Sequence, residues 1–117
     1  MLFTDNAGVV HRMACGSLRN PGTGWVVVDD SVNEPSELSI GTVTNTSIQV
    51  LFPAGAQVHW AIANPDAVFA GAHTVSFGAN SGLATATVKG RLNGGPFNPS
   101  TWVHATASIR FVGFYRL

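Results

Sequence analysis

Charge is the scarcest property of this sequence. Only 10% of its 117 residues are Asp, Glu, Lys or Arg, six acidic against six basic, and the formal net charge is zero. An average domain carries about one quarter charged residues. A neutral chain has no long-range attraction for polyanions, so neither nucleic acid nor an acidic membrane is expected as a partner. Cysteine occurs once, at Cys15, which excludes an internal disulfide. Its apolar-alternating segment marks it as a small buried hydrophobe of low reactivity. No apolar run approaches the ~20 residues of a membrane-spanning helix. The opening MLFTDNAGVV has neither the basic region nor the long apolar region of a secretory signal. Helical recurrence of apolar residues over three turns is missing throughout.

What is present is β patterning. Glycine, proline and Asn-Pro or Asn-Gly pairs punctuate the chain about every ten residues, with short Val-, Thr-, Ile- and Phe-rich segments between them. Strands are predicted at Val9–Ala14, Trp25–Asp29, Leu38–Val43, Ser47–Phe52, Gln57–Ile62, Thr74–Gly78, Leu83–Lys89 and Ala107–Arg116. Thr44-Asn45-Thr46 reads as a tight turn, and Asp66–Ala70 as one helical turn or a bulged strand. The fold class expected is all-β: a single antiparallel β-sandwich, jelly-roll-like, of about eight short strands spanning residues 1–117. Residues 1–10 are expected as an extended arm able to pair with a neighbour's sheet edge.

The glycine-rich stretch GSLRNPGTGWVVVDD, Gly16 to Asp30, raises the question of a phosphate loop. Such a loop needs a lysine and a following helix, whose N-terminus supplies positive charge. Gly22-Thr23-Gly24 runs instead into Trp25-Val26-Val27-Val28, a strand sequence without lysine. Asn20-Pro21-Gly22 is turn chemistry.

Other constellations carry little chemistry. Asp29, Asp30, Glu34 and Glu37 cluster, but without calcium-loop spacing, and read as a solvated acidic loop. His11, His59, His73 and His104 lack the i, i+2 or i, i+4 spacing of a zinc site. A Ser-His-Asp set can be assembled on paper from His59, Asp66 and a serine, but no Gly-x-Ser-x-Gly elbow supports it. No catalytic residue, metal ligand or cofactor is expected. Trp60 shares an alternating face with Val58 and Ile62 and reads as core, as does Trp25; Trp102 is the tryptophan expected to be exposed. In the closing strand Ile109, Phe111 and Tyr115 alternate onto one face, Val112 and Phe114 onto the other. A strand apolar on both faces wants cover on both. These five residues are the expected subunit interface.

Phe3-Thr4-Asp5-Asn6-Ala7-Gly8-Val9, the run Gly24–Ser31, VHWAIANPDAVF (Val58–Phe69), Gly78–Leu83 with the Ala/Thr alternation after it, Asn98-Pro99-Ser100-Thr101 and the closing Phe111–Tyr115 together resemble C-terminal β modules of minor tail and capsid decoration proteins of tailed bacteriophages infecting actinobacteria. In that family the module usually ends a longer protein, whereas this chain is expected as a free-standing copy. The resemblance implies a non-enzymatic virion structural protein, assembled in the host cytoplasm. It would be a homo-oligomer, by preference a trimer, bound to major capsid or tail proteins and displayed on the particle. A second reading is a glycan-binding module for host adsorption, with Trp102 as the sugar-stacking ring. An enzyme, with histidine and carboxylate meeting in one cleft, ranks third.

Overall fold

The computed structural model describes residues 2–28 and 37–117. The chain is an all-β sandwich of two antiparallel sheets packed face to face. In chain order the elements are β1 (Leu2–Thr4), β2 (Val10–Arg19), β3 (Val26–Val28), β4 (Ser39–Val43), β5 (Ile48–Leu51), β6 (Gln57–Pro65), α1 (Ala67–Ala72), β7 (Val75–Ser81), β8 (Thr85–Leu92), β9 (Gly95–Pro96) and β10 (Ile109–Arg116). The first sheet runs β6-β10-β2, and β1 and β3 lie end to end along the far edge of β2, opposite Val10–Arg12 and Ser17–Arg19. The second runs β4-β5-β8-β7, with β9 also beside β8. Among the described residues the ten strands exceed the expected eight because β1 and β9 are short return strands beside tight turns.

The N-terminal residues fold onto their own sheet rather than reaching out as an arm. Asp5 turns the chain: its Oδ1 accepts from the amides of Ala7 (2.9 Å) and Val9 (3.0 Å), and Gly8 takes φ 81°. That turn returns β1 antiparallel onto β2. The glycine loop is likewise architectural. The Asn20 side chain accepts from the amides of Gly22 (3.0 Å) and Gly24 (3.2 Å), both glycines have positive φ, and β3 follows. Asp29, Asp30 and Glu34 of the acidic loop lie outside the described residues.

The segment read as helical turn or bulge is helix α1. Asp66 caps it, accepting from the Phe69 amide at 2.8 Å, which satisfies one of the donors a helix start leaves open. Its second oxygen accepts from the Ser108 amide (3.1 Å), and its own amide donates to the Ser108 carbonyl (2.9 Å). One carboxylate thus fastens α1 to the start of β10. Among the described residues no helix is long and apolar enough to cross a membrane.

Leu18, Ile109, Phe111 and Tyr115 of the first sheet meet Ile48, Val50, Ala86 and Val88 of the second across the interior. The alternation of β5 and β8 in the sequence reflects this: one side of each strand is core, the other is wet. A second aromatic group closes the core beside α1. There Phe69 stacks on Trp102 at 4.7 Å and meets Phe77 and Phe97 edge-on.

Candidate functional site

The functional candidate lies on the outward face of the first sheet, and a β-bulge builds it. Along β10, Phe114 pairs with Trp60 but Tyr115 pairs with Val58, so His59 is an extra residue in β6. A bulge of this kind opposes two residues to one and shifts the side-chain alternation. Val58 therefore turns inward against the core, while Trp60 and Ile62 face out, 38% and 50% exposed. This corrects the expectation that Val58, Trp60 and Ile62 share a core face. That expectation assumed unbroken period-two alternation.

The bulge also aims His59 over β10 toward His11 on β2. His59 Nε2 and His11 Nδ1 stand 3.0 Å apart. On its other side His11 Nε2 lies 2.8 Å from Asp5 Oδ2. Both imidazoles sit on the Phe114 ring, His11 stacked at 5.7 Å and His59 tilted at 5.1 Å, and Phe3 meets that ring edge-on at 5.7 Å. The His11 hydrogen bond, with those from Val9 and Ala7, holds the Asp5 carboxyl below its ordinary range. Asp5 is therefore anionic at neutral pH and can only accept. His11 then donates Nε2–H to it and turns its Nδ1 lone pair toward His59. Arg116 is opposite His11 in the ladder, and its Nε donates to Gln57 Oε1 at 2.9 Å.

Beside this chain of polar groups, on the side away from Arg116, two rows of the face are apolar. Met13, Phe114 and Trp60 form one cross-strand row; Cys15, Val112 and Ile62 form the next. Antiparallel sheets that face water usually place polar residues there. Cys15 is exposed, against the expectation of burial, because Ala14 and Gly16 take the inward positions on either side of it. Of the five residues expected at a subunit interface, Ile109, Phe111 and Tyr115 are buried in the chain's own core. Val112 and Phe114 alone lie on a face that another chain can reach. Inward cover for β10 comes from the second sheet.

Trp102 is not an open platform. It stacks on Phe69 at 4.7 Å and lies parallel to His104 at 6.0 Å, and it is packed against the core cluster. Trp25 donates Nε1–H to the Pro99 carbonyl at 2.8 Å and meets Phe97 edge-on. His73 contacts Asn93 (3.2 Å), and His104 Nδ1 accepts from the amides of Thr106 and Ala107. Asp66 is committed to capping, so no Ser-His-Asp set forms with His59. Cys15 is four residues along β2 from His11, about 13 Å at strand spacing, too far for a thiolate–imidazole pair. Glu37 receives the Tyr115 hydroxyl (2.8 Å) and the Arg12 guanidinium (3.1 and 3.3 Å). Among the described residues no group of three or more His, Cys, Asp or Glu side chains could hold a metal ion.

Sequence spacing gave no sign of the Asp5–His11–His59 chain, since 48 residues separate the two histidines. No family model matches the chain, and no curated protein or solved structure matches it either.

Proposed function

We propose that this protein is a non-enzymatic assembly subunit that uses the outward face of its first sheet to bind a neighbouring copy of itself. In this reading it is a small virion-surface protein of a tailed phage, a capsid decoration or minor tail accessory subunit. It assembles in the host cytoplasm, trimeric by preference, and attaches to the major capsid or tail protein. The observation that carries the reading is the pair of apolar rows, Met13–Phe114–Trp60 and Cys15–Val112–Ile62. Two such rows side by side leave apolar area in water that a neighbour's surface would remove, at roughly 25 cal/mol per Å². Zero net charge means that like copies do not repel one another.

The test is sedimentation of the purified chain at high micromolar concentration. The wild type is expected to self-associate, and Trp60→Lys and Phe114→Glu to sediment as monomers with an unchanged β circular dichroism spectrum. A wild-type monomer at that concentration would remove the basis of the proposal.

One observation favours a second reading. Trp60 is 38% exposed and stands 5.5 Å from the Phe114 ring, an indole of the kind on which sugars stack. As a glycan module the protein would depend on Trp60 rather than Trp102, and glycan binding lost in Trp60→Ala but kept in Trp102→Phe would support it.

A further inference from the structure

We propose that His11 Nδ1 and His59 Nε2 form a two-imidazole site for a divalent transition-metal ion, Zn²⁺ or Cu²⁺. The inference stands on the geometry of the two rings and is independent of the assembly reading.

Two imidazole nitrogens on a tetrahedral zinc ion, each about 2.05 Å from the metal, are about 3.3 Å apart. The two nitrogens here are 3.0 Å apart, so a shift of a few tenths of an ångström in two side chains admits the ion. The bulge at His59 leaves that ring exposed at the surface, so the shift needs no change in the ladder. His11 also has the support that metal-bound histidines usually have: its far nitrogen donates to a carboxylate, here Asp5 Oδ2 at 2.8 Å, which orients the ring and raises its basicity. The Asp5 carboxylate is itself held by two backbone amides. Beneath the pair, Phe114 supports both rings. Arg116, the nearest cation by register, is bonded to Gln57.

The proton balance closes. Without metal, neutral His59 donates Nε2–H to His11 Nδ1. With metal, His59 takes its other neutral tautomer, with the proton on Nδ1, and both facing lone pairs go to the ion. Neither ring loses a proton overall. Imidazole pairs suit Zn²⁺ and Cu²⁺, with Cu²⁺ the tighter in the general affinity order. Two protein ligands leave positions for water or for a donor from another molecule.

The test is calorimetric titration of the tag-free full chain with ZnCl₂ and with CuSO₄ near pH 7.5. Saturable binding is expected, tighter for Cu²⁺. His59→Ala and His59→Gln should each weaken it at least tenfold, and Asp5→Asn by about 10- to 100-fold. His73→Ala should leave it unchanged. The Cu²⁺ complex should show imidazole nitrogen couplings in its electron paramagnetic resonance spectrum, reduced in both His59 variants. Absence of saturable binding, or binding that survives His59→Ala and His59→Gln in folded protein, would overturn the proposal.

Discussion

Phe52, the residue that follows β5, packs against the bare Cα of Gly113 in β10, with the rings of Phe111 and Tyr115 on either side at 6.1 and 5.2 Å. A methyl group added at Gly113 would run into the Phe52 ring. The two sheets approach this closely because one residue has no side chain. Gly113 has ordinary backbone angles, so its role is space and not conformational freedom.

Gly113→Ala should therefore destabilise the protein by about 1–3 kcal/mol, the usual cost of overpacking a filled core. Chemical denaturation measures this. Phe52→Leu in the same background should recover part of the loss, giving a coupling energy in a double-mutant cycle.

Tyr115 should make stability fall at alkaline pH. Burial, and then the hydrogen bond to Glu37, push its hydroxyl from 10.0 up to about 12. The unfolded phenol loses its proton first as pH rises. The contribution is thus complete below pH 10, declines as pH rises above it, and is gone above about 12. This is the only tyrosine, so ultraviolet titration of the phenolate reads it directly. Tyr115→Phe should remove this part of the alkaline slope, and Glu37→Gln should lower the titration midpoint.

Asp66→Ala should cost about 1–2 kcal/mol, because it removes both a helix cap and an acceptor for a part-buried amide. Asp66→Asn should cost less, since its single carbonyl oxygen can still serve Phe69 or Ser108. Thermal melts of the two variants, compared with wild type, check the order.

Deleting His59 should be tolerated. The deletion removes the extra residue and leaves Val58 inward and Trp60 outward in a regular ladder. The stability change is expected to stay within about 1 kcal/mol, as for a surface change that spares the core. Denaturation and backbone amide shifts of the β6–β10 pair would show whether the register is kept.

Much of the fold was legible in the residues. Ser47–Phe52 and Leu83–Lys89 alternate cleanly, and the structure places Ile48, Val50, Ala86 and Val88 in the core with their neighbours outside. Turn chemistry at Asn20–Gly24 and Thr44–Thr46 was local and could be read directly. The reading of β6 failed at one residue, because a bulge is set by the partner strand and leaves no mark in a single segment. Trp60 and Ile62 lie on the outward face for that reason, while Val58 keeps its core position. Trp102 was misplaced for a different one: its cover comes from Phe69, far away in sequence.

The sequence by itself determined that this chain is a low-charge β-sandwich, because alternation and turn residues act over a few neighbouring positions. It also determined that the closing strand carries apolar side chains on both faces. Only the tertiary structure decided which of those faces is spent on the core and which is left outside. It alone brought Asp5, His11 and His59 together, since three strands had to be ordered side by side, and one had to bulge, before those side chains could meet.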